Sequence, residues 1–283
     1  MQDKFDIIVV NYKTYSYLNL FLKSICAWHS EWIDKIVIID YQYDEFELKK
    51  IVKRFPLNIK AYGFLGNYGY AWGINFGYKH INPRRWFIVT NPDIIILPNF
   101  FEHISDCFEE SIGLIVPKVL NPDFNWQPSL RKFPYFKYLL FGRESFFTRV
   151  FPKNPISFDY LELGRENIEG EVQVGAGMFM IINSKVFERI GKMSDKYFLF
   201  AEDVDLCYRI KKAGFKVYYC PKVKVIHFWG KSREYVKHRS KFWHVKSVKI
   251  FIQENIYPKF KFLFDILALF KYFCIAFENL FRP

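Results

Sequence analysis

Asn91-Pro92-Asp93 closes the apolar run Trp86–Thr90, Glu202-Asp203-Val204-Asp205 follows the apolar run 197–201, and His227 ends a third apolar stretch. A carboxylate at a strand end, a second at a helix start and one imidazole are what a divalent metal and a general base require. Gathered by a fold, they would act on a phosphorylated donor. Each also has a plainer account. Asn-Pro-Asp makes a turn on its own, and the chain repeats it as Asn121-Pro122-Asp123. Acids in the first turn of a helix stabilise its dipole, although three within Glu202–Asp205 exceed what capping needs, leaving one to take a proton from a hydroxyl. A lone histidine is a core residue as often as a ligand, yet neutral imidazole binds Mn2+ readily. The glycine-rich segment from Gly66 to Asn75 matches neither GxGxxG nor the P-loop, which argues against a dinucleotide-binding or NTPase reading.

Such residues act together only if the elements carrying them meet at one edge. Short β-branched runs at 5–10 and 35–40 flank an amphipathic segment at 17–27. A helical charge pattern covers 45–54 and stops at Pro56, and a strand at 59–62 follows. A helix at 71–79, the buried strand Trp86–Thr90, a helix at 99–108 capped by Asn99 and a strand at 112–116 continue the alternation. Repeated βα units of this spacing predict an α/β fold with a mostly parallel central sheet and helices on both faces. Ligands of such sheets gather beyond the carboxyl ends of the strands, where Asp93 falls. The pattern lapses between 121 and 170, a Pro-, Phe- and Arg-rich stretch (Phe146, Phe147 and Pro152 among it) whose length marks a functional loop. It resumes with a strand at 172–183 broken by Gly175 and Gly177, a helix at 184–190 capped by Ser184, a helix at 202–213 closed by Gly214, and strands at 215–219 and 223–227.

The 283 residues fit one large domain or two smaller ones, and at 51% hydrophobic they can bury a sizeable core. Aromatic content of 21% exceeds what a core needs and calls for a further role. The five cysteines form no CxxC pair, so they read as small buried hydrophobes of a reducing compartment rather than a disulfide or zinc framework. Two acids precede the first short apolar run, so neither signal peptide nor N-terminal anchor is expected and a cytoplasmic location follows. Residues 211–283 hold 16 Lys/Arg against 4 Asp/Glu, which accounts for the whole net charge of +12. Such a block suits an anionic membrane surface or nucleic acid. A nucleic-acid-binding protein explains the basic, aromatic tail but leaves Asp93, Asp203 and the βα pattern without a role, so no nucleic acid is expected.

Taken in order, Val9-Val10-Asn11-Tyr12, Ile38-Ile39-Asp40, Asn67-Tyr68-Gly69-Tyr70-Ala71 with Asn75, Asn91-Pro92-Asp93, Gly175-Ala176-Gly177-Met178, Phe200-Ala201-Glu202-Asp203-Val204-Asp205-Leu206-Cys207 and Val225-Ile226-His227 resemble family 2 glycosyltransferases of the GT-A fold, in their rhamnosyltransferase-like branch. The resemblance implies an inverting, Mn2+- or Mg2+-dependent transferase of bacterial cell-surface polysaccharide synthesis, moving a sugar from a nucleotide-diphosphate donor to a saccharide acceptor. Asn11, Tyr12 and Asp40 would line the nucleoside pocket, with Asn67 and Gly69 near the donor. Asn91 and Asp93 would form the DxD-like pair, Asp93 binding the metal and His227 completing its coordination. Gly175, Ala176 and Gly177 would pass the donor sugar and acceptor. Asp203 would be the general base, with Glu202 and Asp205 contacting the acceptor, capping the helix or forming salt bridges. The first donor reading is dTDP-rhamnose, with UDP-hexose or UDP-galactofuranose as alternatives. A nucleotide-sugar-binding scaffold without transfer is the rival that intact Asp93, Asp203 and His227 argue against. Departures from the pattern fall at Tyr41-Gln42-Tyr43, at Trp72 and Ile74 and at Lys192-Met193-Ser194-Asp195, so reshaped nucleotide and sugar pockets are expected.

The resemblance makes residues 1–232 the catalytic domain, with 121–170 as an acceptor lid, and leaves 233–283 as a basic, aromatic, helical extension. Its run at 259–277 is broken by Asp265 and Lys271 and falls short of a spanning helix. It reads as an interfacial helix, or as one packed on the catalytic domain or on a second subunit of a homodimer. With the basic stretch 231–249, the first reading docks the enzyme peripherally on the anionic inner face of the cytoplasmic membrane, where a lipid-linked acceptor would be met.

Overall fold

The computed structural model describes residues 4–41, 44–141, 150–151, 154–230 and 237–280. Phe5–Tyr12 (β1) is buried along almost its whole length, and Ile33–Tyr41 (β2) pairs with it in parallel, setting Asn11 opposite Asp40. Near-continuous apolar strands are what a parallel sheet covered on both faces demands. Tyr15–Trp28 (α1) makes the crossover and buries Leu18, Phe21, Leu22 and Ile25, one helical stripe. Glu45–Lys53 (α2), capped by the Asp44 carboxylate, leads to Ile59–Phe64 (β3), and Tyr70–Tyr78 (α3) leads to Trp86–Thr90 (β4).

The chain continues through Ile94–Ile96 (β5), Phe100–Ile104 (α4), Ile112–Leu120 (β6), Leu130–Arg131 (β7), Phe136–Phe141 (α5), Pro155–Tyr160 (α6), Gly170–Val172 (β8), Val174–Gly175 (β9) and Phe179–Asn183 (β10). Ser184–Arg189 (α7), Glu202–Lys212 (α8), Lys216–His227 (β11), Lys237–Phe251 (α9) and Lys261–Leu280 (α10) complete it. The main sheet runs β3-β2-β1-β4-β10-β6-β11-β5, with β8 on β11. β1 to β4 and the β6–β11 pair are parallel; β10, inserted between β4 and β6, is antiparallel to both. This is the expected α/β architecture. Successive residues point to opposite faces, so Ile8, Val10, Val37 and Ile39 enter one core and Ile7, Val9, Ile36 and Ile38 the other.

Several local expectations change. Asn99 precedes α4 in a left-handed conformation (φ 62°) without a capping bond, and the helix tightens after Ile104 into a 3-10 turn at Ser105–Cys107. Asn183 rather than Ser184 caps α7, accepting from the Lys185 and Val186 amides, while the Ser184 hydroxyl donates to the Arg84 and Arg85 carbonyls. The strand expected at 172–183 is three short ones, and the two expected at 215–227 are one, irregular between Cys220 and Lys224. Cys107 and Cys220 are joined as a disulfide, against the reading of the cysteines as unpaired; 113 residues separate them, a spacing that carries no local signature. The 121–170 stretch is not structureless, since it holds β7, α5 and α6. Gln42, Tyr43, Phe146, Phe147, Pro152 and the first basic residues of 231–249 lie outside the described residues.

Candidate active site

β4 ends at Thr90, and the chain turns through Asn91-Pro92-Asp93 directly into β5. β5 pairs with the end of β11, setting Ile94 opposite His227. That register brings Asp93 Oδ1 and His227 Nε2 to 3.4 Å, with both side chains almost fully buried. The Asp93 Oδ1 atom has no hydrogen-bond partner. Gln127 Oε1 lies 2.6 Å from His227 Nδ1. An amide oxygen only accepts, so Nδ1 carries a proton, and in the neutral ring the Nε2 lone pair faces Asp93. A buried carboxylate oxygen and an imidazole lone pair facing each other without a shared hydrogen bond fit a cation, and this oxygen–nitrogen set suits Mn2+ or Mg2+.

α8 starts after two consecutive left-handed residues, Phe200 (φ 67°) and Ala201 (φ 61°). Neither is glycine, so each holds strain of about 1–2 kcal/mol. The turn delivers Glu202, Asp203 and Asp205 to the interior. Asp203 Oδ2 accepts from Arg131 Nη2 at 2.6 Å and from the Gly177 amide at 2.9 Å, while Oδ1 accepts from the Val204 amide at 2.8 Å. Burial works against the charge on Arg131, and Asp203, with Tyr160 and Cys207 behind it, more than restores it. Asp205 instead accepts from Arg209 Nε at 2.7 Å within its own helix, and Arg209 Nη1 donates to the Ile190 and Lys192 carbonyls. Burial, then the charge of Asp203, pushes the Glu202 carboxyl well above the usual carboxylate range, and its Oε2 has no partner.

Residues 175–178 join the two ends. The Asn91 amide donates to the Met178 carbonyl at 2.9 Å, the neighbouring Gly177 amide holds Asp203, and Tyr70 donates its hydroxyl to the Gly177 carbonyl at 2.9 Å. Burial, followed by the charges of Glu202, Asp203 and Asp93, pushes the Tyr70 phenol well above its usual range. Gly69 aims Tyr70: its φ is +93°, its carbonyl accepts from Tyr41 at 2.8 Å, and a Cβ there would lie 2.6 Å from the Phe198 carbonyl. Asn67 Oδ1 accepts from the Gly69 amide and fixes the turn. Gly175 is buried, and its Cβ would meet Val116 Cγ1 at 2.4 Å, so it permits close packing on β6. The Ala176 amide donates to Ser129 of the β7 connection.

Asn11, Tyr12 and Asp40 sit at the carboxyl ends of β1 and β2. Asp40 is fully buried, accepting from Asn11 Nδ2 at 2.5 Å and from the Tyr15 hydroxyl at 2.7 Å. Burial lifts it to about 6, against the pull of those two bonds. Thr14 donates to Asn11 Oδ1 at 2.7 Å and completes the network, with Tyr12 half-buried beside it. The duplicate motif separates cleanly: Asp123 is exposed and bonds Asn125 in its own turn. Gln127 and Arg131 escaped the sequence reading, because 121–170 shows no periodicity. An arginine between Leu130 and Phe133 was the available signal.

The family described as "Glycosyltransferase like family 2" matches residues 3–246. The chain is 25% identical over 269 residues to an N-acetylglucosaminyl-diphospho-decaprenol L-rhamnosyltransferase of Mycobacterium tuberculosis, covering 90% of this chain and 86% of that protein. It is 24% identical over 254 residues to rhamnosyltransferase WbbL of Escherichia coli, covering 85% and 89%. Among solved structures, a mannosyltransferase from Pyrobaculum calidifontis in complex with GDP-Man and Mn2+ shares the fold with a TM-score of 0.62 at 14% identity, covering 95% of this chain and 70% of that one.

Proposed function

The chain belongs to the glycosyltransferase like family 2 and is rhamnosyltransferase-like, and from that premise we propose an inverting, metal-dependent transferase that moves a sugar from a nucleotide diphosphate to a lipid-linked saccharide in bacterial cell-surface polysaccharide synthesis. One observation carries the mechanism: residues 177–178 hold Asp203 at one end and the Asn91-Pro92-Asp93 turn at the other. A proton acceptor and a metal-ligand pair thus flank one short segment.

Asp203 takes the proton of the acceptor hydroxyl. Arg131 and the Gly177 amide saturate Oδ2, whereas Oδ1 accepts from Val204 and keeps a lone pair for the incoming hydroxyl. The acceptor oxygen forms its bond to the anomeric carbon as the bond to the diphosphate breaks, and the bonding electrons leave with the diphosphate. Glu202, its carboxyl biased toward the protonated form by burial and the charge of Asp203, contacts a sugar oxygen, and Asp205 supports the helix through Arg209. Asp93 and His227, beside Asn91, would hold a divalent cation, which when bound would supply Lewis acidity toward the departing diphosphate. Asn11, Tyr12 and the Asp40 network form the nucleoside pocket, and Asn67, Gly69 and Gly175–Gly177 shape the donor-sugar side. The donor is dTDP-rhamnose by preference, given the rhamnosyltransferase relatives, with UDP-hexose or UDP-galactofuranose next. The relative named for a diphospho-decaprenol acceptor supports the lipid-linked reading. Residues 1–232 form the catalytic unit, with 121–170 as the acceptor lid, and 233–283 extend it.

A thermal-shift panel of nucleotide sugars with and without Mn2+ tests this reading. One nucleotide sugar raises the melting temperature only with Mn2+, and Asp93→Ala abolishes the metal-dependent part. Stabilisation by oligonucleotides but by no nucleotide sugar would overturn it.

A further inference from the structure

α10 is apolar on the side it packs and also on the side that faces away. Phe264, Ala268 and Ile275 form its packing stripe, each no more than 6% exposed. Directly opposite, Phe262, Ile266, Leu269 and Phe270 stand out, with Phe262 78% and Leu269 72% exposed. Among the described side chains none of the charged ones lies on the outward face: helical spacing sets Asp265 at its flank and Lys261 and Lys271 beside the packing stripe. Asp265 is drawn back onto the protein by Lys249 Nζ at 2.8 Å and Gln253 Nε2 at 3.0 Å, while Lys259, Lys261 and Lys271 remain exposed. A solvated helix has the reverse arrangement, with charge opposite the packing stripe. A contiguous outward apolar face of this kind marks an interaction surface.

We propose that this face lies in the plane of an anionic bilayer, with its apolar side chains among the acyl chains and the long side chains of Lys259, Lys261 and Lys271 reaching round to the phosphates. No helix among the described residues is long and apolar enough to cross a membrane, which leaves an in-plane geometry. Charge selects the bilayer over a second copy of the chain. A two-fold interface would bring together the lysines and arginines of two copies of a region that carries the whole net charge of +12. Anionic headgroups neutralise them instead.

The position of α10 gives the surface its use. Phe264 stacks on Tyr257 at 5.7 Å, and the Tyr257 hydroxyl accepts from the Phe136 amide. Phe133, two residues from Arg131, stacks on Phe251 at the end of α9. The helix is thus tied to the strand whose Arg131 holds Asp203, and an acceptor anchored in the bilayer would approach the base along that side. In that use the inference rests on the lipid-linked reading, but vesicle binding needs neither donor nor acceptor, so either can fail alone.

The test is flotation of the full chain with vesicles of phosphatidylcholine containing phosphatidylglycerol, against phosphatidylcholine alone. The wild type floats with anionic vesicles, and Leu269→Glu/Phe270→Glu lowers the partition coefficient at least about tenfold with unchanged thermal unfolding. Lys259→Gln/Lys261→Gln/Lys271→Gln loses about fivefold per lysine on anionic vesicles and little on neutral ones. Equal flotation of wild type and the double glutamate variant would overturn the proposal. So would a wild type that ignores vesicles and is a dimer which the glutamates make monomeric.

Discussion

Arg131 and Asp203 form a mostly buried ion pair, Nη2 to Oδ2 at 2.6 Å, that ties β7 to the first turn of α8. The pair orients the carboxylate without exhausting it. Removing the cation would leave a buried charge with the Gly177 and Val204 amides as its remaining protein donors.

Arg131→Met should therefore cost about 3 kcal/mol, the low end for breaking a buried pair, because the guanidinium keeps 26% exposure. Arg131→Lys should recover part of the stability and little of the activity, since a compact ammonium on a different stem does not reproduce the position of Nη2 on Asp203 Oδ2. Chemical denaturation and turnover, measured on both variants, check this.

Gln127 sets the His227 tautomer from outside the metal position. Gln127→Ala should weaken Mn2+ binding by about tenfold while both ligands remain. Titration calorimetry of the apoprotein measures it; unchanged affinity would remove Gln127 from the site.

The two glycines around Ala176 should separate packing from chemistry. Gly175→Ala drives a Cβ to 2.4 Å from Val116 Cγ1, so the melting temperature should fall sharply. Gly177→Ala meets Asp203 Cβ at 3.1 Å, a contact that moves the carboxylate by a few tenths of an ångström. Turnover should drop while the melting temperature barely changes.

Asp6 provides a pH signature away from the site. Burial, then the nearby Asp34, raises its pKa from 3.8 to about 6. The native state thus binds the extra proton between those values. Its stabilising contribution is complete below the lower value and is lost as pH rises through the upper one. Asp6→Asn should flatten that part of the stability–pH curve and raise the melting temperature at neutral pH.

The fold was legible because its strands and helices are periodic, and the outer candidates for the site could be picked out because they lie on or beside such segments. β1, β2 and β4 announce themselves by short apolar runs rich in Ile and Val, and Asp93, Asp203 and His227 follow or end apolar runs. Their meeting was not legible from spacing alone. It depends on β5, three residues long, setting Ile94 opposite His227, and on β10 running antiparallel so that Met178 reaches Asn91. Gln127 and Arg131 lie in a stretch without period, and their partners are 100 and 72 residues away. The left-handed pair Phe200–Ala201 carries no glycine to signal it. The Cys107–Cys220 pair was missed for the same reason of distance.

Asp203→Asn tests the central claim most directly, because the substitution keeps an acceptor for Arg131 and Gly177 while removing the base. Donor binding with Mn2+, measured by titration, should stay within about threefold of wild type, a cost well under one kcal/mol. Sugar transfer should fall by at least about a hundredfold, the low end for losing a positioned base. Transfer that survives the substitution, or donor binding that is lost with it, would contradict the assignment of Asp203 as the base.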